Sequence, residues 1–446
     1  MNAPADSPAR FAKFCIGLCL SAVLGLTTPV PAAAPPAFDA ARFARRLDEW
    51  AQPLIEAGLL SGNLLIAHRD RVCFERSWGW ADAERRLRNT PDTRFCIASI
   101  NKPMTVILAL QLMGEKKLGY RDTLSKWIPD FPLGDSITVE HLLRHRSGIP
   151  HRVTGDADEV VPHSAADMVE FAKRSKLEFP PGQRYSYSSS GFSVLARVLE
   201  LASGRSYGEL IEERLFRPLG MTGSYHPDAR ADTNGRAINY VPELGRLSRG
   251  PYQDYSFLVG AGAVWSTARD LHRLLWADAS GALGYTARQS ALRGGTIPWN
   301  GSTNGYRAFA DFDTITEYSV IFTGNLHSGA VDEMRAAVMA LLEGREPPAP
   351  SRVPTRAARV APAVLAGYEG TYHIANNPAL VARATREGLD VNGWSLVATS
   401  DTSFFSLRDF GMVTISRDSL GHFSGFNWSV AGQSLACPRV GPLPKE

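Results

Sequence analysis

"FCIASINKPM", residues 95–104, is the stretch on which the reading of this chain turns. An apolar run delivers Ser99, and three residues later Lys102 stands at the head of a second apolar run, "MTVILALQLM". An amine set in hydrocarbon costs solvation free energy unless something there needs it. On a helix, residues i and i+3 share a face with Cβ atoms about 5–6 Å apart, so the Lys102 amine reaches the Ser99 hydroxyl. Pro103 supports a helix that begins at or just after Ser99, because proline is tolerated only in the first turn. Ser99 would then sit at the positive end of that helix, where an oxyanion is favoured. A serine hydroxyl is a poor nucleophile without a neighbouring base. Lysine, with a pKa near 10.4, fills that role near neutrality only if burial or another cation depresses its pKa.

Composition sets the frame around this pair. With 446 residues the chain is long enough for one large domain and a smaller one. Its 48 Lys and Arg against 45 Asp and Glu leave a formal charge of +3, and no basic block or basic-aromatic stripe is present. Nucleic acid is therefore not an expected partner. At the N-terminus, Arg10 and Lys13 precede the apolar "FCIGLCLSAVLGL" and the small, proline-containing "TTPVPAAAPPA". That order predicts an export signal over residues 1–34, cleaved near Ala34, and a periplasmic or secreted protein with no stable membrane span after cleavage. The apolar core falls short of the roughly 20 residues of a comfortable span. Cleavage would leave Cys73, Cys96 and Cys437, which form neither a disulfide framework nor a metal spacing. A Cys73–Cys96 bridge and two buried thiols both remain open.

Periodicity predicts the remaining organisation. "FDAARFARRLDEWAQPLIEAGLL" has helical spacing, and "GNLLIAHRDRVCFERSWGWA" reads as two strands around His68-Arg69-Asp70. A mostly helical stretch follows, ending with "STARDLHRLLWADA", for which Ser266 or Thr267 is available as N-cap. "GYRAFADF" and "EYSVIFTGN" predict a hairpin around residues 313–316, and "AVDEMRAAVMALLEG" a helix. Strand, helices, strand is an α+β order. Residues 347–362, rich in proline and arginine, read as a linker. Short strands separated by turn residues then predict a small all-β domain over 363–446, after a main domain over 35–346.

"FCIASINKPMTVILALQLMGEKKLGYRDTLSKWIPDFP" resembles the active-serine region of serine β-lactamases, penicillin-binding proteins and related esterases. "ITVEHLLRHRSGIP" and "PGQRYSYSSSGFSVLARVLE" resemble stretches of the class C β-lactamase and family VIII esterase branch. The resemblance runs from about Gly62 to Asn325, and the C-terminal segment looks like the small β-barrel-like domain often appended to such hydrolases. It implies an antiparallel sheet flanked by helices, with a helical subdomain, and acyl transfer through Ser99 and Lys102. The family's Tyr-x-Asn falls on Tyr187 and Ser189, a departure at the second position, with Tyr185 as a rival tyrosine. The third motif, Lys-Thr-Gly or His-x-Gly, falls on Trp299-Asn300-Gly301, so its cation is missing. By resemblance, Tyr187 exchanges a proton with Ser99, and the backbone N–H groups of Ser99 and Ser302 form an oxyanion hole. Ser189, Trp299 and Gly301 are the implied substrate contacts. Tryptophan offers an apolar wall in place of a charge.

These residues imply a serine hydrolase acting on a small-molecule ester or amide, without cofactor or metal. A carboxylesterase with weak β-lactam turnover is the leading expectation. A D-amino-acid peptidase on peptidoglycan fragments and an inactive binding protein of the same fold are the alternatives. Two decoys are set aside. Gly204-Arg205-Ser206-Tyr207-Gly208 fits G-x-S-x-G but follows a helix instead of a strand, so Ser206 is expected to be a helix cap. His141 and His145, spaced i and i+4 on a predicted helix, lack the glutamate of a metal-hydrolase motif and are expected to be structural.

Overall fold

The computed structural model describes residues 38–228, 234–283, 296–373, 380–430 and 432–444. The expected export signal lies outside the described residues. Among those residues no helix is long and apolar enough to cross a membrane.

An antiparallel sheet organises the main body. Its strands are β1 Gly62–His68, β2 Arg71–Trp78, β3 Thr296–Thr303, β4 Tyr306–Asp313 and β5 Tyr318–Gly324, in the order β2-β1-β5-β4-β3. Both expected hairpins form: β1 turns into β2 through Arg69 and Asp70, and β4 into β5 with Glu317 in the left-handed region. One face of the sheet presents Leu65, Ala308, Ala310 and Ile321 to a core shared with α2 (Asn101–Gly114). α6 (Ser189–Ser203) and α8 (Ala268–Ser280) complete that core. The other face presents Leu64, Ile66, Phe309 and Phe322 to α1 (Ala40–Glu56) and α9 (Ala330–Leu342). This alternation along β1 is the period of two that puts neighbouring side chains on opposite faces.

Shorter helices fill the helical side: α3 Leu124–Trp127, α4 Val139–Leu143, α5 Ala165–Arg174 and α7 Tyr207–Ile211. Ser206 caps α7 by accepting from the Glu209 N–H, while the Glu209 carboxylate reaches back to the Ser206 N–H. The cap of α8 is Thr267. Helix α4 ends at Leu143, and His145 lies beyond it with φ +54°, so His141 and His145 do not share a helix as expected.

From Gly344 to Ala361 the chain has no regular structure. After α10 (Pro362–Gly367) come eight antiparallel strands that close into a barrel. They are β6 Gly370–Tyr372, β7 Leu380–Ala384, β8 Gly388–Val391, β9 Trp394–Ser400, β10 Ser403–Ser406, β11 Met412–Arg417, β12 Phe423–Val430 and β13 Gln433–Gly441. Closure pairs β6 with β13 and removes the exposed edges an open sheet would carry. The barrel has its own core around Tyr372, Phe404 and Phe426. Val397, Phe405 and Leu407 instead join the core beneath α1 and α9. All three described cysteines are unbonded: Cys96 and Cys437 are buried and Cys73 is half-buried.

Candidate active site

A short ribbon delivers the serine. Phe95–Cys96 pairs with Trp265–Ser266, and the chain then turns sharply at Ala98, whose φ is +46°. A non-glycine residue in this region is costly and persists only where its surroundings fix it. Ala98, Ser99 and Ile100 form one 3-10 turn that runs directly into α2, so Ser99 sits at the head of the helix. Beneath it a buried network anchors α2. The Thr105 hydroxyl donates to the Gly260 carbonyl at 2.5 Å, and Asn101 donates to the Tyr207 hydroxyl at 2.8 Å.

Lys102 is 5% exposed. Its Nζ lies 3.1 Å from Ser99 Oγ and donates to Ser189 Oγ at 3.2 Å and to the Ala261 carbonyl at 3.0 Å. Burial pushes the amine down to about 7, with no ion pair to oppose it. Tyr187 donates its hydroxyl to Ser99 Oγ at 2.9 Å, and the Lys102 ammonium stands 4.8 Å from the centre of its ring. Burial raises the Tyr187 pKa, and the bond to Ser99 only partly opposes this. At neutral pH the phenol therefore keeps its proton while the lysine sits near its midpoint. Tyr185, the rival, is 63% exposed and packs edge-on against His145.

Two histidines hold the tyrosine loop. His145 accepts from the Ser188 N–H at 3.1 Å and stacks 4.5 Å from the Tyr187 ring. His151 accepts from the Ser189 N–H at 3.3 Å and lies 5.4 Å from the same ring. Burial, and then the charge of Lys102, push His145 down to about 4 and His151 in the same direction. Both rings are neutral acceptors at pH 7. Their neutrality keeps two further cations away from Lys102.

Strand β3 forms the opposite wall. A Cβ on Gly301 would stand 2.1 Å from the Ile97 carbonyl oxygen, so only glycine lets this strand reach the turn that carries Ser99. Trp299, two residues earlier on the same face, is 8% exposed. It lines an apolar cavity of about 390 Å³ with Ser99, Lys102, Val106, Leu143 and Phe192. A second cavity, about 610 Å³ and richer in polar groups, opens on the other side of Ser99 and Tyr187. Ser189 and Ser302 line it, and Ser302 Oγ is 3.5 Å from His327 Nδ1.

All seven residues singled out in the sequence thus lie on one or both cavities: Ser99, Lys102, Tyr187, Ser189, Trp299, Gly301 and Ser302. Ser189 stands where the family pattern has asparagine and still meets the lysine through its hydroxyl. Three residues on the larger cavity were missed by sequence reasoning: His151, Arg307 and Arg408. The signal that could have found His151 is its place just after "SGIP", next to a stretch already matched. Arg408 comes from the barrel, and no spacing in the chain connects it to Ser99.

A family model described as Beta-lactamase matches residues 42–363. The putative penicillin-binding protein PbpX of Bacillus subtilis is 30% identical over 214 residues, 48% of this chain and 53% of that protein. A putative D-alanyl-D-alanine carboxypeptidase of Escherichia coli is 29% identical over 203 residues, 40% of this chain and 45% of that protein. The chain thus spans about half the length of these curated relatives. Among solved structures, a penicillin-binding protein from Bacillus halodurans superposes with a TM-score of 0.56 at 26% identity, covering 68% of this chain and 98% of that one. The fold is that of the β-lactamases and transpeptidases, with a barrel appended, and the chain belongs to the β-lactamase family of serine hydrolases.

Proposed function

We propose that the chain hydrolyses carboxylic esters of small molecules through an acyl-enzyme on Ser99. The observation that carries this reading is the buried Lys102 amine, held near pKa 7 and 3.1 Å from the Ser99 hydroxyl. Neutral Lys102 takes the hydroxyl proton as Ser99 Oγ attacks the carbonyl carbon. The carbonyl oxygen gains the negative charge, and the N–H groups of Ser99 and Ser302 receive it. As the tetrahedral intermediate collapses, Tyr187 passes its proton to the departing alkoxide and recovers one from Lys102. Water then attacks the acyl-enzyme by the same route in reverse.

Trp299 supports the ester reading. It gives the smaller cavity an apolar wall suited to an acyl chain, at a position that would otherwise hold a cation. Weak β-lactam turnover is expected for the same reason. Wild-type protein should release p-nitrophenol from p-nitrophenyl butyrate with a burst, and Ser99→Ala should neither do so nor take a fluorophosphonate label. Undiminished labelling of Ser99→Ala would remove Ser99 as the nucleophile. Hydrolysis of nitrocefin at rates typical of efficient β-lactamases would overturn the substrate preference.

A second reading, D-alanyl carboxypeptidase activity, is favoured by the description of the Escherichia coli relative. Release of D-alanine from a muropeptide would select it over the first. In either case residues 1–34 would direct export, and the mature N-terminus of periplasmic protein would begin near Pro35.

A further inference from the structure

The larger cavity beside Ser99 does not end at the catalytic residues. Arg152, Glu159, Gln253, Asn304 and Arg408 line it and also line a further cleft of about 980 Å³. One wall of that cleft carries Val160, at the end of a 3-10 turn, and Tyr252. The barrel forms the other wall with Leu380 of β7, Trp394 of β9, Trp428 of β12 and Leu435 of β13. Three large apolar side chains are open to solvent here: Val160 at 47%, Tyr252 at 68% and Leu435 at 53%. Single exposed apolar side chains are ordinary, but these three gather on one cleft from both of its walls.

Both walls are fixed by contacts of their own. The Glu159 carbonyl accepts from the Asp254 N–H at 2.8 Å, and its carboxylate accepts from Gln253 at 2.9 Å. These bonds tie the Val160 turn to the segment that carries Tyr252. Across the cleft, Trp394 and Trp428 meet edge to face with ring centres 5.7 Å apart, and Trp428 Nε1 donates to Asp409 at 3.0 Å. The charges are paired. Arg152 meets Asp156 at 2.6 Å and Glu159 at 2.5 Å, and Arg408 is balanced by Asp409 beside it. No positive charge is left over to attract an anion, so the walls suit an uncharged, apolar occupant.

We propose that this cleft holds an apolar leaving group, so that the barrel reads the alcohol of the ester while the Trp299 cavity takes the acyl chain. Continuity with the catalytic cavity selects the substrate as the occupant, and the paired charges select a neutral one. The volume lies at the upper end of the roughly 300–1,000 Å³ that drug-sized ligands fill, ample for a two-ring group. The inference rests on the hydrolase reading above. It narrows the substrate to esters whose alcohol carries a bulky uncharged group.

Two measurements separate failure of the inference from failure of that reading. In the first, kcat/KM for 2-(2-naphthyl)ethyl butyrate and for ethyl 4-(2-naphthyl)butanoate is each divided by that for ethyl butyrate. The first ratio places the naphthyl group on the alcohol, the second on the acyl chain, and all three esters release an alkoxide of similar basicity. Wild type should show an alcohol-side ratio of about 10 or more, mainly through KM. Tyr252→Ser combined with Leu435→Ser should bring that ratio near one and leave the acyl-side ratio at its wild-type value. Leu435→Met alone should keep most of the preference. Because each readout is a ratio within one protein, a general loss of activity or of folded protein cancels. The second measurement needs no turnover: 2-(2-naphthyl)ethanol is titrated calorimetrically into Ser99→Ala. Binding that weakens about 10-fold when Tyr252→Ser and Leu435→Ser are added supports the proposal even if no ester is cleaved. A wild-type alcohol-side ratio near one, a loss confined to the acyl-side ratio, or no binding sensitive to the two substitutions would overturn it and leave the serine chemistry untouched.

Discussion

Lys102 concentrates the conflict between stability and chemistry in a single side chain. Burial lowers its folded pKa from 10.5 to about 7, so between these values the unfolded chain binds one more proton than the folded one. Stability therefore rises with pH across that window, and below about pH 7 the penalty of a buried ammonium is fully present. Lys102→Met should be more stable than wild type at pH 6 by on the order of 2 kcal/mol, allowing for the acceptors left without the amine. The advantage should vanish towards pH 10.5. Urea unfolding at the two pH values checks this, and an equal gain at both would contradict it. The same pKa predicts that kcat/KM for a neutral ester rises with pH and levels off above about 7, as the free base becomes the dominant form. A profile flat from pH 5 to 9 would remove Lys102 from the proton transfer. Ser99 and Lys102 were legible in the sequence because i, i+3 spacing on a helix is a local rule. Tyr187 was legible only through its flanking motif, since Tyr185 satisfies composition equally well and only the fold turns it outward.

Among the elements, strand β3 shows how much the site depends on backbone approach. It is an edge strand, paired on one side with β4, and its other side faces the turn that carries Ser99. Gly301→Val would drive a side chain into the Ile97 carbonyl oxygen, and the strand would have to retreat. A displacement near 1 Å at such a place typically lowers rate by about 10². We expect kcat to fall by about that factor with the circular dichroism spectrum unchanged, while Ser302→Ala, which keeps the backbone N–H, should lose much less. Equal losses in both variants would point to the Ser302 hydroxyl. The hairpins, α1, α2, α8 and α9 were readable from alternation and helical spacing. Helix α4 was overextended because the apolar pattern of "VEHLLRHR" continues past the point where His145 adopts a left-handed conformation. That break is tertiary in origin: His145 leaves the helix to cap the tyrosine loop and stack on its ring.

At the scale of the whole molecule, the all-β character of the C-terminal segment was visible in its turn spacing, but its docking was not. Nothing local distinguishes Val397, Phe405 and Leu407, which face the main body, from Leu396, Phe404 and Val413, which face the barrel interior. The alternation of a strand gives two faces and does not say what each one meets. A chain truncated after Glu346 should expose the core beneath α1 and α9 and bind the dye ANS, whereas the full chain should not. A truncated protein that remains monomeric and dye-silent would show the contact to be dispensable.

The shared core also decides how the molecule comes apart. A sequence that reads as two domains joined by a proline-rich linker suggests two calorimetric transitions, the smaller barrel melting first. Because three barrel side chains complete the other body's interior, loss of the barrel would leave that interior open to water, and the two halves should melt together in one endotherm. Mutations in the barrel would then be felt as losses of global stability, well away from any contact with substrate.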